Sequence, residues 1–221
     1  TNGSVAILNA KAAKGSFDAV IVSDYAKGLL TESIIRQLLS VAQQQNMNVL
    51  VDSKPERLQL FKGAHIVTLN LKEARAFANM KGTDQNAHSE IALYIANQMK
   101  SNVVITRGGE GMTVCTLQGE VVHIPTKKQE VIDTTGVGDT VTSVLSAMLL
   151  LGCSLEDAAT IANYAGTLAV TKKGNAIITP QELHRFFRLE IHEYLNQSMN
   201  VKKAVLETQL DKIEEIAHQI I

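Results

Sequence analysis

The sequence predicts an α/β protein of three layers, a mostly parallel central sheet with helices on both faces. Three observations predict it. Short apolar runs alternate with longer stretches whose apolar residues keep a 3.6-residue period, the pattern of a parallel sheet built from strand–helix units. The runs end in polar loops: Ser23-Asp24-Tyr25-Ala26-Lys27-Gly28, Asp52-Ser53-Lys54-Pro55, Asn70-Leu71-Lys72-Glu73 and Thr106-Arg107-Gly108-Gly109-Glu110-Gly111. Such loops, at the carboxyl ends of strands, are where open α/β sheets bind ligands. Finally, the turn Asp133-Thr134-Thr135-Gly136-Val137-Gly138-Asp139 runs straight into an apolar helix.

Taken in order, Val5, Leu8 and Ala12 before Gly15 read as the last turns of a helix, and a start at Thr1 suggests a fragment. Residues 18–23, with Val20, Ile21 and Val22, suit a buried parallel strand. Thr31 can cap the next helix, whose Ile34, Ile35, Leu38, Leu39 and Ala42 share one side. Residues 48–51 and 65–69 form two further strands, and Ala74, Phe77 and Ala78 mark the helix after the second. A helix through Ile91, Ile95 and Met99 leads to the strand at 103–105. Runs at 112–117 and 120–124 predict a hairpin across Gln118-Gly119.

Val141, Val144, Leu145, Met148 and Leu149 keep helical spacing after the double-glycine turn. Ser154 caps a helix to about residue 170, with Asp157 completing an approximate capping box, and Thr179-Pro180-Gln181-Glu182 is a second box. Val205, Leu206, Leu210, Ile213, Ile216, Ala217 and Ile220 line one side of a final amphipathic helix. Docking on its own domain is the first reading of that helix and pairing with another chain the second. The expected organisation is one α/β part over residues 1–195 and the helix over 196–221.

Composition excludes several classes. With 221 residues, 45% of them hydrophobic, and a net charge of −1, the chain can bury one large core. No basic cluster beyond the pair Lys127–Lys128 supports nucleic-acid binding, and no apolar run is long enough to span a membrane. Cys115 and Cys153 lack Cys-x-x-Cys spacing and read as reduced core thiols of a cytoplasmic protein. The six histidines lack metal-ligand spacing and read as solvated or satisfied groups.

The turn at 136–138 points backbone N–H groups one way. Together with the helix dipole these make a seat for an anion, and Asp139 stands beside it. That pairing suits phosphoryl transfer, in which amides hold the phosphoryl group and a carboxylate takes the acceptor's proton. A plain strand-to-helix turn accounts for the glycines alone at least as well. No Lys follows Gly138 as a P-loop needs, and Val141 stands where a dinucleotide fingerprint needs glycine.

In this order the motifs resemble those of the ribokinase-like (PfkB) carbohydrate kinases. Asp133 to Asp139 fits the family signature, Asn70-x-x-Glu73 its magnesium motif, and Thr106-x-Gly108-x-x-Gly111 its nucleotide-binding turn. The loop Ser23 to Gly28 is similar to that of the kinase domains acting on D-glycero-D-manno-heptose 7-phosphate. The resemblance implies Asp139 as base, with Gly136, Val137 and Gly138 offering amides to the transferring phosphoryl. It implies Asn70, Leu71, Lys72 and Glu73 near the nucleotide, with Asn70 and Glu73 holding Mg2+ through water. Thr106, Gly108 and Gly111 would border ATP, and Asn163 would lie near adenine, a surface helix Asn being the equal alternative. Lys54 is expected either to reach a phosphate or to be a solvated loop lysine. Asp133 and Thr135 stand where some relatives hold a monovalent cation. The implied partners are ATP and a small sugar phosphate, in a homo-oligomer without nucleic acid or membrane. Relatives also carry an earlier part with a Gly-Gly sugar motif and a β lid, and some a later domain marked His-x-Gly-His; neither is found in this sequence.

Overall fold

The computed structural model describes residues 17–80, 85–126, 129–174, 177–179, 181–183 and 185. The apolar runs of its first half lie side by side as parallel strands: β1 (Ala19–Asp24), β2 (Asn48–Ser53), β3 (Ile66–Asn70) and β4 (Asn102–Thr106). The hairpin β5 (Met112–Cys115) and β6 (Val121–Ile124) continues the sheet antiparallel, in the order β1-β2-β3-β4-β5-β6. Each parallel strand runs at least one residue further than its apolar run. The ladder therefore carries Asp24, Asp52, Asn70 and Thr106 to its rim.

Strand alternation sorts side chains between two cores. On one face Val22, Val51, Val67, Leu69, Val103 and Ile105 meet the crossover helices α1 (Glu32–Gln44), α3 (Leu71–Ala78) and α4 (Gln85–Met99) through Ile35, Leu38, Ala74, Ile91 and Ile95. Right-handed crossovers that always step to the same neighbour put their helices on one face, and this leaves the other bare. The chain covers that face with α5 (Val137–Leu150) and α6 (Leu155–Ala169). Val141, Leu145, Ile161 and Ala165 pack there on Leu50, Ile66, Val104 and Val114. Each buried Val, Leu or Ile among them is worth about 1.5–3 kcal/mol. Gly166 lets α5 and α6 close up, since a Cβ there would sit 2.9 Å from the Val141 side chain.

The short helix α2 (Pro55–Leu58) has no counterpart in the sequence pattern; a single turn is too brief to show a period. Thr31 caps α1 by accepting from Ile34 N–H at 3.4 Å. Ser154 Oγ accepts from Asp157 N–H at 3.1 Å, but its hydroxyl also donates to the Asp157 carboxylate at 2.7 Å, so the expected box closes between side chains. Thr179 and Glu182 form the reciprocal box as expected. His88 corrects the reading of the histidines. It is buried, with Nδ1 3.5 Å from the Arg107 guanidinium and Nε2 lacking a partner among the described residues. Cys115 is a buried thiol and Cys153 a half-buried one. No helix among the described residues is long and apolar enough to cross a membrane. The helix end at 5–15, the pair Lys127–Lys128, Pro180 and the helix at 201–221 lie outside the described residues.

Candidate active site

The loops after β1, β2 and β3 face the start of α5 across a cleft of about 180 Å3, lined among others by Tyr25, Asp52, Lys54, Glu73, Gly138 and Asp139. Gly136 caps α5 in the left-handed region, at φ 75°, which glycine adopts without the cost a side chain brings. The Gly136 carbonyl accepts from Thr140 N–H at 3.0 Å, the first hydrogen bond of the helix. Val137 N–H bends back to the Thr134 carbonyl at 3.4 Å, which corrects the expectation that it faces a ligand. Among the described residues the N–H groups of Gly136, Gly138 and Asp139 meet no acceptor, so the expected anion seat is made by these three.

Asp139 is exposed in the first turn of α5, and both its carboxylate oxygens accept from the Tyr25 hydroxyl, each at 3.1 Å. Tyr25 is aimed by its neighbour. Asp24 accepts from Arg57 Nε at 2.7 Å and from Ala26 N–H at 3.0 Å, while Arg57 also donates to the Leu30 carbonyl. The helix α2 that carries Arg57 thus fixes the loop after β1. Ser23 pulls the Tyr25 phenol down, but burial and the Asp139 carboxylate outweigh it and hold the phenol above its ordinary value.

Asp133 clips the same turn from behind. Its carboxylate accepts from Thr135 Oγ1 at 2.7 Å, Thr135 N–H at 2.9 Å and Gly174 N–H at 2.9 Å. The Thr135 hydroxyl first, then these amides, hold the acid down to about 2. Both side chains at the position implied for a monovalent cation are thereby engaged with the fold.

Asn70 and Glu73 form a capping box on α3: Asn70 Oδ1 accepts from Glu73 N–H at 2.9 Å and Glu73 Oε2 from Asn70 N–H at 3.1 Å. Glu73 Oε1 pairs with Lys54 Nζ at 2.7 Å, and the Lys54 side chain lines the cleft while keeping 41% of its surface in solvent. Asp52, half-buried at the end of β2, faces the same cleft. Burial first, then the Glu73 and Asp139 carboxylates, push it up to about 6, against Lys54. This is a crowd of like charges that a divalent cation would relieve, and the donor set fits Mg2+. Among the described residues no three such side chains are grouped so as to hold a metal ion directly. Leu71 packs against the core and Lys72 is exposed; neither lines this cleft or the larger one beside it, which sets them apart from their expected place by the nucleotide.

A second cleft of about 540 Å3 opens beside the first, and Thr106, Gly138 and Val141 line both. Gly108, Gly111, Val137, Asn163 and Val170 contribute to its walls. Asn163 is buried, not a surface residue, and its Nδ2 donates to the Pro125 carbonyl at 2.9 Å. Gly111, at φ 90°, is glycine for the fold's sake. A Cβ there would run into the Ile124 carbonyl and come within 2.9 Å of Pro125 C and Thr126 N. Tyr25 and Asp52 were not singled out from the sequence; an acid at the rim end of an apolar strand was the one signal for Asp52.

The pattern of the pfkB family carbohydrate kinases matches residues 4–182. The "Bifunctional protein HldE" of Trichlorobacter lovleyi is 41% identical over 175 residues, covering 79% of this chain and 36% of that protein. Its counterpart in Gluconobacter oxydans is 34% identical, covering 80% of this chain and 37% of that protein. The chain thus spans just over a third of the length of the curated relatives it matches. Phosphofructokinase-2 from Escherichia coli superposes with a TM-score of 0.71 at 22% identity, covering 84% of this chain and 61% of that one. Arabidopsis thaliana ribokinase, solved with ribose and ATP, superposes at 0.68 with 18% identity, covering 84% and 59%. The chain belongs to the pfkB family of carbohydrate kinases.

Proposed function

We propose that this chain carries the phosphoryl-transfer site of an ATP-dependent kinase that phosphorylates D-glycero-β-D-manno-heptose 7-phosphate at O1, giving the 1,7-bisphosphate. One observation carries the reading: Asp139 and the unpaired amides of Gly138 and Asp139 stand where the acidic cleft adjoins the larger one. In this reading ATP occupies the larger cleft, against Thr106, Gly108 and Asn163. The acceptor hydroxyl gives its proton to Asp139 as its oxygen bonds to the γ-phosphorus. The bond from that phosphorus to the bridging oxygen breaks, and ADP leaves with the electron pair. A positioned base supplies about 10²–10⁴-fold in rate, and one amide aimed at the growing charge a further 10²–10³-fold. Asn70 and Glu73 would hold Mg2+ through water, with Asp52 facing the same cleft beside them; when bound, the ion would neutralise charge on the phosphate oxygens.

The heptose is supported by the loop from Ser23 to Gly28 and by the HldE relatives. Residues 1–195 are read as the later two-thirds of the kinase domain, in a homo-oligomer that sedimentation velocity would reveal; one solved form of the Escherichia coli phosphofructokinase-2 is tetrameric. The test is ADP release by the full-length protein, with and without heptose 7-phosphate and across other phosphosugars. Turnover with the heptose, lost in Asp139→Asn while ATP still binds, is the expected result. ATP binding without turnover on any sugar would mean a nucleotide-binding module instead, and preference for another phosphosugar would overturn the heptose alone.

A further inference from the structure

The contact between Tyr25 and Asp139 has no part in the transfer chemistry, yet it covers the atoms that chemistry needs. One phenolic hydroxyl reaches both carboxylate oxygens at 3.1 Å, from a loop 114 residues away in the chain. Tyr25 is 54% exposed and has room to point elsewhere. Its backbone is held by the part-buried ion pair of Asp24 with Arg57, so the direction is built in. A hydroxyl on a carboxylate usually sits at about 2.5–2.7 Å; a bond shared between two oxygens at 3.1 Å is weaker and easily displaced.

We infer that Tyr25 is a positioning residue that caps the base: its hydroxyl occupies both oxygens of Asp139 until an acceptor arrives, which keeps water from being activated against bound ATP. The inference rests on Asp139 being the base. A site with a carboxylate beside an anion seat is a ready ATPase, because water can replace the sugar hydroxyl, give its proton to Asp139 and carry off the phosphoryl as phosphate. Water brings no other binding energy with which to displace a tethered phenol. A sugar phosphate does, because contacts remote from the reacting hydroxyl supply it. When the sugar docks, Tyr25 retreats and one oxygen of Asp139 becomes available to the acceptor.

The test is Tyr25→Phe in the full-length protein, which deletes one oxygen from a half-exposed ring and leaves the packing intact. ADP release is measured with and without the sugar acceptor, with Asp139→Asn alongside. The expected outcome is a rise of about 10-fold or more in the ratio of sugar-independent to sugar-dependent ADP release, with the KM for ATP unchanged. A merely structural role would lower both rates together and leave their ratio where it was. An unchanged or lowered ratio, with Asp139→Asn inactive, overturns the cap and leaves the base reading standing. Undiminished turnover in Asp139→Asn overturns both.

Discussion

Two glycine turns flank the larger cleft, and they are glycine for opposite reasons. At Gly111 the backbone closes on itself: a side chain would enter the carbonyl of Ile124. At Gly138 the fold leaves space, since a Cβ would lie 3.7 Å from Asp52 Oδ2, an ordinary contact, and the residue has helical geometry. The fold therefore requires the first glycine and does not by itself require the second. A motif that pairs both under one label hides that difference, and substitution separates them.

The sharpest break should come from Gly111→Ala. Overpacking against β6 adds to the cost of a side chain at φ 90°, together about 3–4 kcal/mol of stability, read by denaturant unfolding. Gly138→Ala should do the reverse: stability unchanged or up by about 0.5–1 kcal/mol, since Ala is the better helix former. Its kcat should nevertheless fall at least 100-fold, about 2.7 kcal/mol of barrier, because the methyl stands between the two clefts. Full activity in this variant would place the phosphoryl elsewhere.

Asp52 sharpens the comparison from the acid side. Its carboxyl is raised in the folded chain, so the protonated form favours folding. That contribution is complete below the ordinary value of 3.8 and is lost as pH rises through about 6. In magnesium-free buffer Asp52→Asn should remove the loss and stand about 3 kcal/mol above the parent at pH 7, while the two converge near pH 4. Thermal melts across that range would show it, and Mg2+ should narrow the gap. The smallest effect is expected from Gly136→Ala, about 1–2 kcal/mol for the left-handed cap alone.

Periodicity made the layers legible before any coordinates. The run at 18–23, the one-sided Ile35 and Leu38, and Thr31 as cap all stand within a residue or so of their expected places. The rim was legible as well, because polar loops after apolar strands have one place to go. Relations across the chain were not legible. Arg57 meets Asp24 across 33 residues and Tyr25 meets Asp139 across 114, and no local pattern encodes either pairing. Gly111 was legible as a glycine but not for its reason, which is how β6 passes over it. Spacing does not tell which amide in a turn curls inward, so the sequence cannot separate Val137 from its neighbours.

The hairpin between β5 and β6 turns at Gly119, at the end of the sheet away from the clefts, where residues 117–120 face solvent. A fluorophore, an affinity handle or a surface tether grafted there would report on or immobilise the molecule while leaving its chemistry untouched.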